Sequence, residues 1–134
     1  MNSHYSSEFM PESMVIIMNK RAVGTLYEQK AAHYLETCGY HILQKNFCCR
    51  MGEIDLIAKD KEYLCFIEVK YRSNEGKGNP AEAITPAKIR RIAGTAEYYM
   101  LTHSFSPDTP CRFDAVIILD NEITLIKNAF DGIR

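Results

Sequence analysis

The chain has 134 residues, 46% of them hydrophobic and 25% charged, enough for one compact domain with its own core and too few for two. That balance excludes an intrinsically disordered chain, and a net charge of −1 excludes binding of polyanions by bulk charge alone. Removing the two charges of Glu8 and Glu12 from the total of −1 leaves +1 on residues 19–134. There the basic charge is local: Lys70, Arg72, Lys77, Lys88, Arg90 and Arg91 outnumber Glu75 and Glu82.

Residues 1–18 are polar and irregular and read as an N-terminal appendage; residues 19–134 read as a single domain. The apolar run Met14–Met18 is far too short to cross a bilayer. From Lys20 to Cys38, apolar side chains at Val23, Leu26, Tyr27, Ala31, Tyr34, Leu35 and Cys38 follow the spacing of one helical face, and Gly39 supplies the stop. Three strands are predicted next, over Tyr40–Phe47, Glu53–Lys59 and Tyr63–Arg72, and then a glycine-rich loop over Ser73–Pro80. Thr85-Pro86 opens a second helix with an N-cap residue and a first-turn proline. Its stripe is Ile89, Ile92, Ala93, Ala96, Tyr99 and Met100. Phe113–Leu119 is nearly unbroken apolar, as a strand covered on both faces requires, and Glu122–Asn128 pairs with it across Asp120-Asn121. The predicted fold is α/β: a mixed sheet of five strands with helices packed on it, in the order αβββαββ.

Five cysteines, an odd number with no C-x-x-C pair, fit neither a zinc site nor a closed disulfide framework. Reduced thiols in a cytoplasmic protein are the expectation. Neighbouring Cys48 and Cys49 in an extended segment point apart.

The third strand carries the first sign of chemistry. In Phe66–Arg72 the charges of Glu68 and Lys70 interrupt an apolar run and share one face. Such a pair alone is an ion pair worth ~0–1 kcal/mol at a surface. A two-residue loop at Lys61-Glu62 sets Asp55 directly opposite Glu68, and a four-residue loop moves the pairing by two positions. Side-chain parity keeps Asp55, Glu68 and Lys70 together in both. Facing carboxylates are costly in a sheet, and a divalent cation offsets that cost. Two carboxylates and a backbone carbonyl suit Mg²⁺ or Mn²⁺, which retains several waters. Lys70 is then placed to orient a water or to neutralise phosphate charge. Glu28, flanked in projection by Gly24, Ala31 and Ala32, adds a carboxylate from the first helix. Glu53 is a further acid on Asp55's face, with Arg50 as a competing partner. Asp114 opens the buried strand, where satisfying backbone groups is its plain role.

Gly52–Ala58 followed by Phe66–Arg72 resembles the PD-(D/E)-x-K nuclease superfamily. More closely, Gly24–Leu35, Asn46–Ala58, Glu68–Arg72 and Gly78–Ile92 resemble the YraN-like family (UPF0102) of predicted endonucleases, which is similar to archaeal Holliday-junction resolvases. The resemblance implies a restriction-endonuclease-like core, with Asp55 and Glu68 as metal ligands, Lys70 as the catalytic lysine and Glu28 as the helix-borne acid. Ile54 stands where the superfamily's name has proline, and no second-helix glutamine is evident, Lys88 and Arg91 occupying that region.

Basic residues in the first turns of a helix oppose its macrodipole, so Lys88, Arg90 and Arg91 point to an anionic partner. Arg72 and Lys77, beside glycines, fit phosphate positioning. The expected function is a Mg²⁺- or Mn²⁺-dependent endonuclease acting on nucleic acid, DNA ahead of RNA and branched or structured DNA first. The alternative is a nuclease-fold module that binds nucleic acid or a protein without cutting. No membrane partner is expected, and a homodimer is compatible with the sequence.

Overall fold

A computed structural model describes residues 12–72 and 84–131. The predicted glycine-rich loop, with Lys77, lies outside the described residues. The element order is α1 (Glu12–Thr37), β1 (His41–Cys49), β2 (Gly52–Asp60), β3 (Tyr63–Arg72), α2 (Pro86–Thr102), β4 (Cys111–Leu119) and β5 (Glu122–Ile126). The five strands form one sheet in the order β1-β2-β3-β4-β5. Strands β3 and β4 run parallel, with α2 between them in sequence, and the other neighbours are antiparallel. This is the mixed α/β arrangement that the sequence predicts.

The strand alternation divides the core into two layers. Cys65, Ile67 and Val69 of β3 pack with Leu56, Val116 and Ile118 against Ala31, Ala32 and Leu35 of α1. Leu64 and Phe66 point the other way and pack with Ile57 and Phe47 against Ile92, Ala96 and Tyr99 of α2. Burial of Phe66, 1% exposed, is worth roughly 1.5–3 kcal/mol by itself. Tyr99 anchors the second layer: its ring lies edge-on to Phe47 at 5.1 Å and stacks on His103 at 4.0 Å.

Local chemistry sets the boundaries. Gly39, at φ 95°, closes α1; its own N–H donates to Glu36 O at 3.0 Å and that of Tyr40 to Leu35 O at 2.9 Å. Thr85 caps α2 as predicted, its hydroxyl accepting from Lys88 N at 3.2 Å, with Pro86 in the first turn. Lys61 (φ 55°) and Asp120 (φ 53°) take the left-handed conformation in the two-residue loops of the β2–β3 and β4–β5 hairpins.

Several elements differ from expectation. Helix α1 begins at Glu12, inside the stretch read as irregular. Val23 and Leu26, 42% and 49% exposed, leave the predicted stripe, because α1 meets the sheet through the face of Ala31, Ala32 and Leu35. Strand β5 stops at Ile126 rather than Asn128, since Asn128 turns to φ 55° and gives its N–H to Asp114 Oδ1 at 2.9 Å.

Candidate functional site

The β2–β3 ladder fixes the geometry. Its pairs run from Asp60↔Tyr63 to Leu56↔Ile67, the register of the two-residue loop, so Asp55 comes next, across from Glu68. The ladder ends there, and Asp55 Oδ2 instead accepts the N–H of Val69 at 2.8 Å. Glu68 lies between Ile67 and Val69 of the α1-side core and therefore faces α2. The approach of α2 depends on Gly52: a Cβ there would sit 3.2 Å from Thr95 Oγ1 and 3.4 Å from Arg91 Cβ. This close crossing brings the first turn of α2 over the carboxylates.

The two acids respond differently to their burial. Burial raises Asp55 to about 9, reinforced by a hydrogen bond with Glu68 and by Glu68's charge, against the opposing Val69 N–H. Glu28 adds a smaller push in the same direction. Burial also pushes Glu68 up, but Asp55's hydrogen bond and the Lys88 ammonium outweigh it and hold Glu68 below its ordinary range. Asp55 is thus the acid of the pair that holds its proton more tightly, and Glu68 the one that ionises more readily.

Glu68 Oε2 lies 2.8 Å from Lys88 Nζ. The contact is one of charge rather than alignment, because this buried oxygen has no hydrogen-bond partner among the described residues. Lys70 lies beside the same carboxylate. Burial, then the adjacent Lys88, push its ammonium down, against the pull of Glu68 and Asp55. Lys88 moves the opposite way: its contact with Glu68 outweighs its burial and raises it.

The candidates named from the sequence therefore separate into groups. Asp55, Glu68 and Lys70 come together on one face at the end of the β2–β3 ladder. Glu28 sits half-buried on α1 and reaches the pair through its field, with no hydrogen bond or ion pair to it among the described residues. Arg72 is exposed, its Nη1 donating to Tyr71 O at 2.7 Å. Arg90 and Arg91 are exposed and line a shallow cleft with Met51, Ala87 and Gly94. Lys88 is not with them; it is turned inward to Glu68. The signal for this was its spacing, four residues before Ile92 and seven before Thr95, both buried on α2.

Glu53 is exposed and accepts from Cys48 Sγ at 3.4 Å, while Cys49 reaches Thr95 Oγ1 at 3.8 Å, so the adjacent thiols do diverge. Among the described residues no three His, Cys, Asp or Glu side chains gather as a metal-binding group. No helix among them is long and apolar enough to cross a membrane.

The sequence profile described as "Uncharacterised protein family UPF0102" matches residues 27–118, which include the strands and helix that carry this cluster. A UPF0102 protein of Lachnoclostridium phytofermentans is 55% identical over 115 residues, covering 86% of this chain and 98% of that protein. A UPF0102 protein of Nitrosomonas europaea is 45% identical over 111 residues, covering 81% and 92%. One from Clostridium botulinum is 43% identical over 114 residues, covering 81% and 93%. The profile match takes in β1, β2, β3, α2 and the acid pair, and the chain belongs to the uncharacterised protein family UPF0102.

Proposed function

We propose that this protein is a divalent-metal-dependent endonuclease, with branched or structured DNA as its first candidate substrate, working through a PD-(D/E)-x-K type of site. One observation carries the reading: half-buried Asp55 and buried Glu68 come together at the end of the β2–β3 ladder, and Glu68 Oε2 has a lysine ammonium at 2.8 Å but no aligned hydrogen bond. Two carboxylates so close repel each other, a cost that a shared cation offsets. Their chemistry fits Mg²⁺ or Mn²⁺, hard cations that use one or two carboxylates and keep most of their waters.

In this reading Asp55 and Glu68 hold the ion, which when bound polarises the scissile phosphate and lowers the pKa of a bound water. Lys70 orients the attacking water and neutralises charge growing on the phosphate oxygens. Water's oxygen forms a new bond to phosphorus as the ester P–O bond breaks, and its proton ends on the departing alcohol. Glu28 holds water at the α1 side of the site. Arg72, Lys77, Arg90 and Arg91 bind phosphates along the backbone without reading bases.

The Lys88–Glu68 contact favours a second reading. It neutralises one carboxylate without any metal, as expected of a module that binds nucleic acid or a protein and does not cut. Labelled linear, flapped and four-way-junction substrates, incubated with Mn²⁺, distinguish the two. Cleavage by wild-type protein that is lost in Lys70→Met, with substrate binding kept within about tenfold, supports the nuclease. Binding without cleavage of any substrate leaves the module.

A further inference from the structure

We propose that Lys88 is an exchangeable counter-ion: its ammonium neutralises Glu68 until a divalent cation binds the Asp55–Glu68 pair, and it then turns outward to a phosphate oxygen of the substrate. The inference rests on the metal-dependent reading above and adds a residue from α2 to it.

Three observations carry it. The first is asymmetry of exposure. The Lys88 side chain is 29% exposed and that of Glu68 is 9%, so the lysine has a way out to solvent while the carboxylate is fixed in the sheet. A four-carbon stem pivoting at the first turn of α2 swings its charge without moving backbone. The second is the quality of the contact. At 2.8 Å the charges are close, yet Glu68 Oε2 makes no hydrogen bond, so little directional bonding is lost when Lys88 leaves. Compare Arg112, whose Nε and Nη2 meet the two oxygens of Asp114 at 2.8 and 3.0 Å in a closed fork. The third is crowding. Lys88 lies on Glu68, and Lys70, which makes no ion pair with that carboxylate among the described residues, sits close enough to Lys88 for the two ammonium groups to oppose each other.

A single position cannot hold both cations. A divalent ion on Asp55 and Glu68 takes the charge that Lys88 was answering, and Lys88 in that position would face a positive ion. Outward, it joins the exposed arginines two and three residues further along α2, at the positive end of the helix, where a phosphate is the complementary charge. Because the coupling is reciprocal, Lys88 weakens metal binding by the factor by which metal weakens the Lys88–Glu68 contact.

The test is calorimetric titration of the full chain with Mn²⁺, for wild type, Lys88→Met, Lys88→Arg and Glu68→Gln, together with thermal melts in EDTA and in saturating Mn²⁺. Lys88→Met is expected to bind Mn²⁺ about tenfold or more tightly than wild type, the penalty expected if the site is open to metal about one-tenth of the time. It should melt below wild type in EDTA and level with it in Mn²⁺. Lys88→Arg keeps the charge and should behave as wild type, and Glu68→Gln should bind no Mn²⁺. Equal or weaker Mn²⁺ binding by Lys88→Met, with Glu68→Gln silent, overturns the exchange and leaves the metal site standing. Failure of every protein to bind Mn²⁺ overturns both. Wild-type protein supplies a check that needs no variant: labelling of Lys88 by an amine-acetylating reagent, read by mass spectrometry, should rise on addition of Mn²⁺. Unchanged labelling in protein that binds Mn²⁺ also overturns the proposal.

Discussion

A pair of acids lies near each end of the β2–β3 hairpin, and the two pairs are built to opposite rules. At the loop end, Asp60 is joined by Asp114 of β4, which is 0% exposed. Arg112 reaches Asp114 with Nε and Nη2, and Nη2 also bonds Asp60 Oδ2 at 2.7 Å. Lys127 adds a contact to Asp60 at 3.1 Å, and Asp114 further accepts from the Tyr40 hydroxyl at 2.7 Å and the Asn128 N–H. The Arg112 guanidinium lies over the Tyr63 ring at 5.0 Å. The bonds from Arg112 hold Asp60 below its ordinary range, and those from Asp114 push Arg112 above its own. Each charge has its partner. At the far end, burial and the neighbouring Glu68 push Asp55 up, and Glu68 Oε2 has a cation nearby but no aligned hydrogen bond. The first pair is a completed joint between β2, β4 and the end of the chain's last strand. The second is left unfinished by the same sheet, which is the pattern that the proposed cation site requires.

If that contrast is sound, the two ends break differently. Arg112→Met should have the largest effect in the molecule outside the apolar core. It leaves Asp114 and Asp60 buried beside each other without their common cation, and should cost about 3–5 kcal/mol in urea unfolding. The loss should be the same in EDTA and in Mn²⁺, because this cluster has no role for a metal. A loss below about 1 kcal/mol would mean that the fork is decoration.

Glu68→Gln probes the other end and should do something an ordinary ion-pair mutation does not. In EDTA the variant should be as stable as wild type or more so. Removing the carboxylate relieves Asp55, and the partly exposed Lys88 is free to reach solvent. Wild-type protein should gain about 2.7 kcal/mol in Mn²⁺ at a hundredfold excess over its dissociation constant, and the variant should lose most of that gain. A destabilised variant beside a wild type indifferent to Mn²⁺ would make this end a plain salt bridge as well.

The two ends also differ in how far they can be read from the sequence. The face of Asp55 was legible because strand parity holds for either loop length, whereas its register was fixed only by the structure, which has the two-residue loop at Lys61-Glu62. Thr85 and Gly39 announced helix ends for equally local reasons. Asp114 invited only a backbone role, although Arg112, two residues before it on β4, shares its face by strand parity; Tyr40 and Asp60 join this pair from far along the chain, which no short-range pattern encodes. Lys88 fell between these cases. Its distance from Ile92 placed it on the buried stripe of α2, but which strand that stripe would cover depended on Gly52 admitting the helix. The rotation of α1, which turns Val23 and Leu26 outward, was hidden because an alanine face and a larger apolar face have the same periodicity.

The smallest effect is the most specific to the unfinished pair. Asp55 keeps its proton up to about 9 in the folded protein, whereas an unfolded aspartate releases it near pH 3.9. Between those values the native state binds one more proton than the unfolded state, so this group's contribution to stability falls as pH rises, by up to about 1.4 kcal/mol per pH unit. Below the unfolded value the contribution is complete, and above the folded value nothing more is lost. Asp55→Asn removes the titration. The difference in unfolding free energy between wild type and the variant should therefore shift against wild type between pH 6 and 8 in EDTA. In saturating Mn²⁺ the slope should vanish for wild type, because Asp55 is then ionised in both the metal-bound native state and the unfolded state over this range. Asp60 supplies the control: its folded value lies below the ordinary one, so Asp60→Asn should leave the difference from wild type flat over this range. Parallel pH profiles for wild type and Asp55→Asn would show that Asp55 is ionised without metal, and that the two ends of the hairpin are alike after all.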